Sequence, residues 1–577
     1  MSSTGLAPSF PAFPGLPLPD PDPNRRNPLP TAGIGSIPPE TRRFFDAVQG
    51  NILKGHGRDH QRLIFFRFAG NEGQSRQLLS DAVNPPDGST PWVTTASAQT
   101  TQTENWIQAR PFIELFEREE LFGEVRFTDE ERKKAKKIIL KATTQVIGGL
   151  MLSKAGLAKL GFIDGEGRVP PFSDFSYNWP EPFSRGLKVG LEGDKFAQRK
   201  ADLTKDWSAP FTEDFDGVFL LACADKKTLD DKLDKEFIPW LEHASHRGEK
   251  VTDGRQECTT WRTSAAAGER GRPREAFGFA DGISVTRFFD TERDDVRPGD
   301  PEPWEWIDLA MEDVFIGEDQ SQAFAGGSFV ALLKFEQDVA RFRAYEDSMV
   351  EAMMEQATID ETHARVLAEP LLAGRNRAGD PLKTVLFNLP GAPEVVRKLF
   401  GLELNVPFGG AFPPELNIFD FKNDGAGKGC PFHAHIRKMN PRVDQVRSFD
   451  KKGIIGAQLV RRGMAYDPAG LLPAAEAAIA NHQAPVWPST GVGLMFMAFM
   501  RDLSGQFELL HNSWAWDTSF PSSGAGQSDP LLFGGLGGKW KFGRVTFDPV
   551  PAVVKRLGGT YLFAPSILWL ARGGRRP

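Results

Sequence analysis

Short apolar runs of strand length recur in both halves of this chain, each leading into a helical pattern, and they restrict its fold more than any other feature. Leu63-Ile64-Phe65-Phe66-Arg67-Phe68 reads as a buried strand rich in aromatics. Residues 149–152 form a second run, after which Ser153 is a natural N-cap for a short helix ending before Gly161. Residues 218–223 form a third. A similar series follows: a strand over 327–335 with a helix from about Gln337, then runs at 457–461 and 493–499. Interleaving of this kind predicts an α+β fold, two units each built as an antiparallel sheet with helices on one face. No short-period repeat is present, which argues against a solenoid or propeller. At 577 residues the chain is too long for one ordinary domain.

A formal net charge of −7 gives no electrostatic case for nucleic acid. The dense run Glu131-Arg132-Lys133-Lys134-Ala135-Lys136-Lys137 reads as the wet face of a helix, opened by a Thr128/Glu131 capping box. Cys223, Cys258 and Cys430 are odd in number and widely spread, which argues against a disulfide framework or a thiolate metal site. No charged-then-apolar leader opens the chain and no segment approaches about 18 uninterrupted apolar residues, so a cytoplasmic protein without membrane contact is expected. Residues 1–40 are so dense in proline that an extended arm is expected there.

Chemistry concentrates in four segments. Gly429-Cys430-Pro431-Phe432-His433-Ala434-His435-Ile436-Arg437-Lys438-Met439-Asn440-Pro441-Arg442 places two histidines and three cationic side chains in fourteen residues, in a chain with 9 His. Imidazole amid positive charge suits a metal whose surrounding ligand is anionic. Haem fits, because iron takes a neutral imidazole and propionates seek arginine; a merely basic surface loop is the plain alternative. Phe277-Gly278-Phe279-Ala280-Asp281-Gly282 sets two glycines around an acid, permitting a tight turn and close approach of a flat ligand, or an ordinary Asp-Gly turn. Val460-Arg461-Arg462-Gly463 ends a strand in paired arginines. Leu494 and Phe496 share one face of another strand and either wall a pocket or fill core.

Together these segments resemble the dye-decolourising peroxidase family, in particular its larger members. Gly278-Phe279-Ala280-Asp281-Gly282 is similar to the family's GxxDG signature, and residues 430–442 are similar to its proximal-histidine segment. Arg461-Arg462-Gly463-Met464-Ala465-Tyr466 resembles the segment carrying the distal arginine. Gln49-Gly50-Asn51-Ile52-Leu53-Lys54-Gly55-His56 resembles the start of the first domain. Phe507, Trp514-Ala515 and Phe520-Pro521 resemble its C-terminal region. The resemblance implies two ferredoxin-like domains, over 41–270 and 271–577, with one haem b per chain in the second.

It also implies roles. His435 becomes the iron ligand, and His433, where a small residue is usual, becomes a neighbour bonding a propionate or a carbonyl. Asp281 and Arg461 assist heterolysis of the peroxide O–O bond, the arginine being assigned to 461 by the Arg-x-Gly spacing before Tyr466. Gly278, Phe279, Gly282, Leu494 and Phe496 line the cofactor, Arg437 and, less directly, Arg375 meet its propionates, and Asp529 supports His435 from behind. Tyr466 and Trp514, in a chain with 4 Tyr and 13 Trp, become candidates for passing electrons at the surface, with Trp516 after them. The implied partners are hydrogen peroxide and small aromatic reductants such as phenols and dyes, with the chain a monomer or homodimer. Two alternatives stand beside this expectation: a haem-handling protein with little turnover, and a non-haem metalloenzyme using His433 and His435.

Overall fold

The computed structural model describes residues 39–575 apart from 107–108, 110–128, 164–178, 189–203, 263–272, 287, 289–308, 318–320, 322, 402–419, 423, 444, 447–448 and 523–524. The proline-rich arm up to residue 38 and Thr128 of the expected capping box therefore lie outside the described residues. The helix behind that box, Asp129–Thr143, exposes Lys133, Lys134, Lys136 and Lys137 and buries Ala135, as a solvated face does. No helix among the described residues is long and apolar enough to cross a membrane.

Four strands come from the first half: β1 (His60–Phe68), β2 (Ile147–Leu152), β3 (Gly217–Cys223) and β4 (Gly248–Thr259). A small hairpin follows, β5 (Trp261–Arg262) with β6 (Pro273–Arg274). The second half contributes β7 (Ser328–Gln337), β8 (Val460–Arg461), β9 (Met464–Tyr466), β10 (Gly493–Met500) and β11 (Val554–Ala564). The large sheet runs β8-β10-β7-β11-β2-β3-β1-β4, with β9 also on β10, and its pairs are antiparallel. Numbered within its own half, each set of strands stands in the order 4-1-3-2, the arrangement of a split β-α-β-β-α-β unit. The halves meet edge to edge, where β11 joins β2 at Phe563 and Leu152. Two ferredoxin-like units are thus fused into one nine-stranded sheet.

The central strands bury both faces. On one side Ile64, Phe66, Leu150, Phe219, Leu333 and Phe563 share a core, while Leu63, Phe65, Met151, Leu220, Leu332 and Leu562 share another. Alternation along the strand divides the two sets, which explains the near-continuous apolar runs in the sequence. The run at 457–461 is an exception. Its first residue caps a short helix, Lys451–Gly456, and only Val460–Arg461 pair as strand. Beyond β7, α2 (Val339–Ala357) is N-capped by Asp338, and α3 (Glu361–Ala373) ends at Gly374 in the left-handed region.

Candidate active site

One cavity of about 700 Å³ gathers most of the residues picked out from sequence. Its wall includes His435, Asp281, Arg461, Arg375, Phe279, Gly282, Leu494 and Phe496. That volume is in the range of cofactor and ligand sites.

His435 is the first residue of the short helix α4 (His435–Met439). The two histidines diverge: His435 is on the cavity wall, whereas His433 is buried against Trp540. Asp529 is fully buried, and its Oδ2 lies 2.6 Å from Nδ1 of His435. The same carboxylate caps helix α5 (Pro530–Phe533), its Oδ1 accepting from Leu531 N at 2.9 Å and Leu532 N at 3.2 Å. A carboxylate only accepts, so Nδ1 carries the proton and Nε2 keeps its lone pair for a metal.

Asp281 lies in a turn that two left-handed glycines permit, Gly278 at φ 96° and Gly282 at φ 80°. Gly278 shapes the chain and does not line the cavity, a correction to its expected role; a Cβ there would press on Arg377 and Arg343. The turn hangs on Glu275, whose buried carboxylate accepts from Phe277 N (3.1 Å), Phe279 N (2.9 Å) and Gln337 Nε2 (2.5 Å). Burial pushes the Glu275 carboxyl above its ordinary range, and the bonds oppose that shift. Asp281 Oδ1 accepts from Gly282 N at 2.7 Å.

The paired arginines do separate. Val460 is buried in one core, and the next residue, Arg461, is on the opposite face, open to the cavity. Its Nη2 donates to the carbonyls of Ser284 (2.7 Å) and Ile283 (3.3 Å). Desolvation by the surrounding cavity wall lowers its pKa although its surface is open to the cavity, and Asp281 opposes the shift, so this carboxylate and guanidinium act on each other. Arg462, also on the cavity wall but buried, donates to Asn51 O, Ile52 O and Leu53 O at 2.8–2.9 Å, satisfying the C-terminal carbonyls of helix α1 (Gly50–Leu53).

Two further arginines converge on Ser284, whose Oγ accepts from Arg375 Nη2 at 2.7 Å and Arg442 Nη2 at 3.2 Å. Both are buried cavity residues. Burial, then neighbouring arginines, lower both pKa values, that of Arg375 to about 9. Three guanidiniums on one serine form a cradle for an anionic group. Arg442 was not singled out in sequence, although it closes the histidine segment. Its φ of 47° bends the chain there.

Several expectations fail on geometry. Arg437 does not line the cavity: it is 3% exposed, donates to Asp424 Oδ2 and Asp424 O (both 2.7 Å) and to Cys430 O, and lies over Phe421 and Phe432. Its donors tie its own loop together, off the cavity wall. His433 packs on Trp540 at 4.6 Å, its Nε2 without a hydrogen-bond partner among the described residues, and burial pushes its pKa down to about 3. Through that atom it bonds no carbonyl among the described residues, and it is not on the cavity wall with His435. No cluster of three or more His, Cys, Asp or Glu among the described residues is arranged to hold a metal. Tyr466 and Trp514 are buried rather than at the surface, 6% and 2% exposed. Lys334 lies over the Tyr466 ring, and Trp514 stacks on Phe520. Trp516, partly buried, meets Phe533 edge-on.

Sequence reasoning also missed His511. A π-helix, Leu503–Trp514, turns Phe507, Leu510 and His511 into the cavity. His511 stacks on Phe507 and meets Arg556 Nη2 at 2.8 Å through Nε2. Its signal was faint, a lone histidine in an apolar helix.

A flat cofactor with an apolar body and acidic edge matches this cavity: an imidazole held by a carboxylate, apolar plates at Leu494, Phe496, Phe507 and Leu510, and an arginine cradle. The donor set fits haem.

No protein-family model matches the chain. Among curated proteins, the multifunctional dye peroxidase of an Amycolatopsis species is 29% identical over 320 residues, 51% of this chain and 60% of that protein. The dye-decolorizing peroxidase of Exidia glandulosa is 28% identical over 390 residues, 63% of this chain and 66% of the relative. These matches therefore span less than two thirds of each relative's length. Among solved structures, the DyP-type peroxidase of an Anabaena species superposes with a TM-score of 0.65 at 22% identity, covering 95% of this chain and 99% of that one. The Amycolatopsis enzyme gives 0.64 at 22% identity over 95% and 99%.

Proposed function

We propose that this chain, a relative of the dye-decolourising peroxidases in sequence and fold, is a haem peroxidase that reduces hydrogen peroxide and oxidises phenols and dyes by one-electron steps. The observation that carries the reading is the meeting, in one cavity, of His435 held by Asp529 with the Asp281–Arg461 pair. Haem b, when bound, supplies the redox centre at which peroxide is reduced. In this reading Nε2 of His435 holds its iron, and Asp529 keeps the imidazole in one tautomer and makes it a stronger donor. Arg375, Arg442 and Ser284 take the propionates.

Asp281 relays a proton from one peroxide oxygen to the other. Gly282 N fixes one carboxylate oxygen, and the other makes no hydrogen bond among the described residues. Arg461, anchored on two carbonyls, presents a fixed positive charge to the departing oxygen. Leu494 and Phe496 limit the space above the reacting atoms to small molecules. Bulky reductants give up their electrons from outside the cavity.

The test is spectral first. Purified protein loaded with haem is expected to show a Soret band, lost in His435→Ala. Asp281→Asn and Arg461→Leu should keep the band and lose peroxide-dependent dye oxidation by about a hundredfold or more. Correctly folded protein that binds no haem sinks the reading.

A further inference from the structure

Asp281 owes its place to the segment before it rather than to bonds of its own side chain. Its carboxylate makes one hydrogen bond among the described residues, to the adjoining Gly282 N. Every backbone N–H from Phe277 to Asp281, by contrast, has an acceptor. Gly278 N donates to Glu275 O at 2.8 Å, Ala280 N to Arg377 O at 3.0 Å and Asp281 N to Pro273 O at 2.8 Å. Phe277 N and Phe279 N donate to the Glu275 carboxylate, and Glu275 N donates back to Phe279 O at 3.1 Å.

Glu275 and Gln337 are on the cavity wall with Asp281, but the two acids are not equivalent. Both oxygens of Glu275 are taken, Oε1 by Phe279 N and Oε2 by Phe277 N and Gln337 Nε2. A carboxylate with three N–H donors on two oxygens is not free to pass a proton, whereas Asp281 keeps one oxygen open. Gln337 is the last residue of β7, and its backbone N donates to Val492 O at 2.9 Å. Through it, Glu275 ties the turn to the large sheet. From the other side, Arg377 Nε donates to Phe277 O at 2.9 Å, and the guanidinium lies 5.2 Å from the centre of the Phe279 ring. Glu346 of α2 and Glu369 of α3 pair with that guanidinium at 2.7 Å and 3.2 Å. Residues 277–279 are thus gripped between sheet and helices, and Asp281 follows two residues on.

We propose that Glu275 is a positioning residue for Asp281: through the Phe277 and Phe279 amides it holds the turn on β7, so that the open oxygen of Asp281 faces the peroxide. This rests on the peroxidase reading and adds to it a residue that acts only through another. Misplacing a reacting group by about 1 Å costs on the order of a hundredfold in rate. Glutamine cannot stand in for Glu275, since it brings one oxygen to three donors and sets its own N–H against an amide N–H.

Stopped-flow mixing of the haem-loaded full chain with hydrogen peroxide reads the rate of the Soret change, with no dye present. Glu275→Gln is expected to slow it about 10- to 100-fold while the resting Soret band is kept. Asp281→Asn slows it as well, and adding E275Q to D281N should cost less than about twofold more, because the two residues act as one unit. In the unloaded chain, amide hydrogen exchange at Phe277 and Phe279 is expected to rise about tenfold or more in E275Q. A wild-type rate in E275Q, equal losses from E275Q in both backgrounds, or unchanged exchange at Phe279 overturns the proposal. Should E275Q not fold, Gln337→Leu, which cuts only the tie to β7, carries the test. It is expected to react several-fold slower, again at no further cost in D281N, and a wild-type rate is equally fatal. D281N reacting at the wild-type rate contradicts the preceding reading and this one with it; a slow D281N beside an unaffected E275Q contradicts only this one.

Discussion

The imidazole of His435 and the carboxylate of Asp529 lie 2.6 Å apart, Nδ1 to Oδ2, although 94 residues separate them in the chain. One carboxylate therefore performs two tasks, orienting His435 with Oδ2 and capping α5 with Oδ1.

Replacing Asp529 by Asn keeps the shape and removes the charge. Haem affinity is expected to fall about 10- to 100-fold, as for other partners of metal-bound histidines. Transfer of haem to an apo-globin acceptor measures it, and a shift of the iron midpoint potential to more positive values should accompany the loss.

Arg437 and Arg375 give opposite outcomes. Arg437→Leu breaks a buried pair with Asp424, whose side chains are 4% and 13% exposed, and should cost on the order of 3–5 kcal/mol in denaturant unfolding. It should leave the haem spectrum of the folded fraction unchanged. Arg375→Leu removes a cradle donor, so haem is expected to dissociate faster.

Arg461 and Arg462 separate activity from stability. Arg461→Leu should abolish turnover in a folded protein. Arg462→Leu orphans three carbonyls of α1 and is expected to lower stability by about 1–3 kcal/mol or more, while Asp281 and Arg461 still cleave peroxide.

His433→Leu should stabilise the protein, since the buried Nε2 has no partner and its desolvation, worth about 1–3 kcal/mol, brings nothing back. A melting temperature that falls, with the Trp540 contact otherwise intact, contradicts this account.

Acid lability should include a contribution from His56, whose pKa burial pushes down to about 4. The unfolded imidazole titrates near 6.5, so between these values the unfolded chain binds the extra proton. Stability from this group is full above about pH 6.5 and is lost as pH falls toward 4. His56→Gln should flatten that part of a stability-against-pH curve; an unchanged slope argues against it.

β1, β2, β3, β7 and β10 were legible because both their faces are buried, leaving apolar runs that sequence alone displays; β4, largely exposed in its first half, and β11 were not, and the 4-1-3-2 order is a tertiary outcome. The junction of β11 with β2 was not legible, being fixed by a tertiary meeting of Phe563 with Leu152. His435, Asp281 and Arg461 were visible as motifs, the arginine through its Arg-x-Gly spacing. Arg437 misled because charge near a ligand segment says nothing of direction, and Asp424, 13 residues earlier, claims it first. Tyr466 and Trp514 misled because rarity is not exposure. Ser284 and Glu275 were invisible, since an ordinary serine and glutamate become hubs only once Arg375, Arg442 and Gln337 are folded against them.

The strand that welds the two halves, β11, is also the last strand of the described chain. During synthesis, β2 and β7 wait with an unpaired edge each until residues 554–564 emerge. Such open edges invite pairing with the wrong neighbour. A nascent chain stalled before residue 554 should therefore bind chaperones and aggregate, whereas a few tens of residues more close both edges in one stroke.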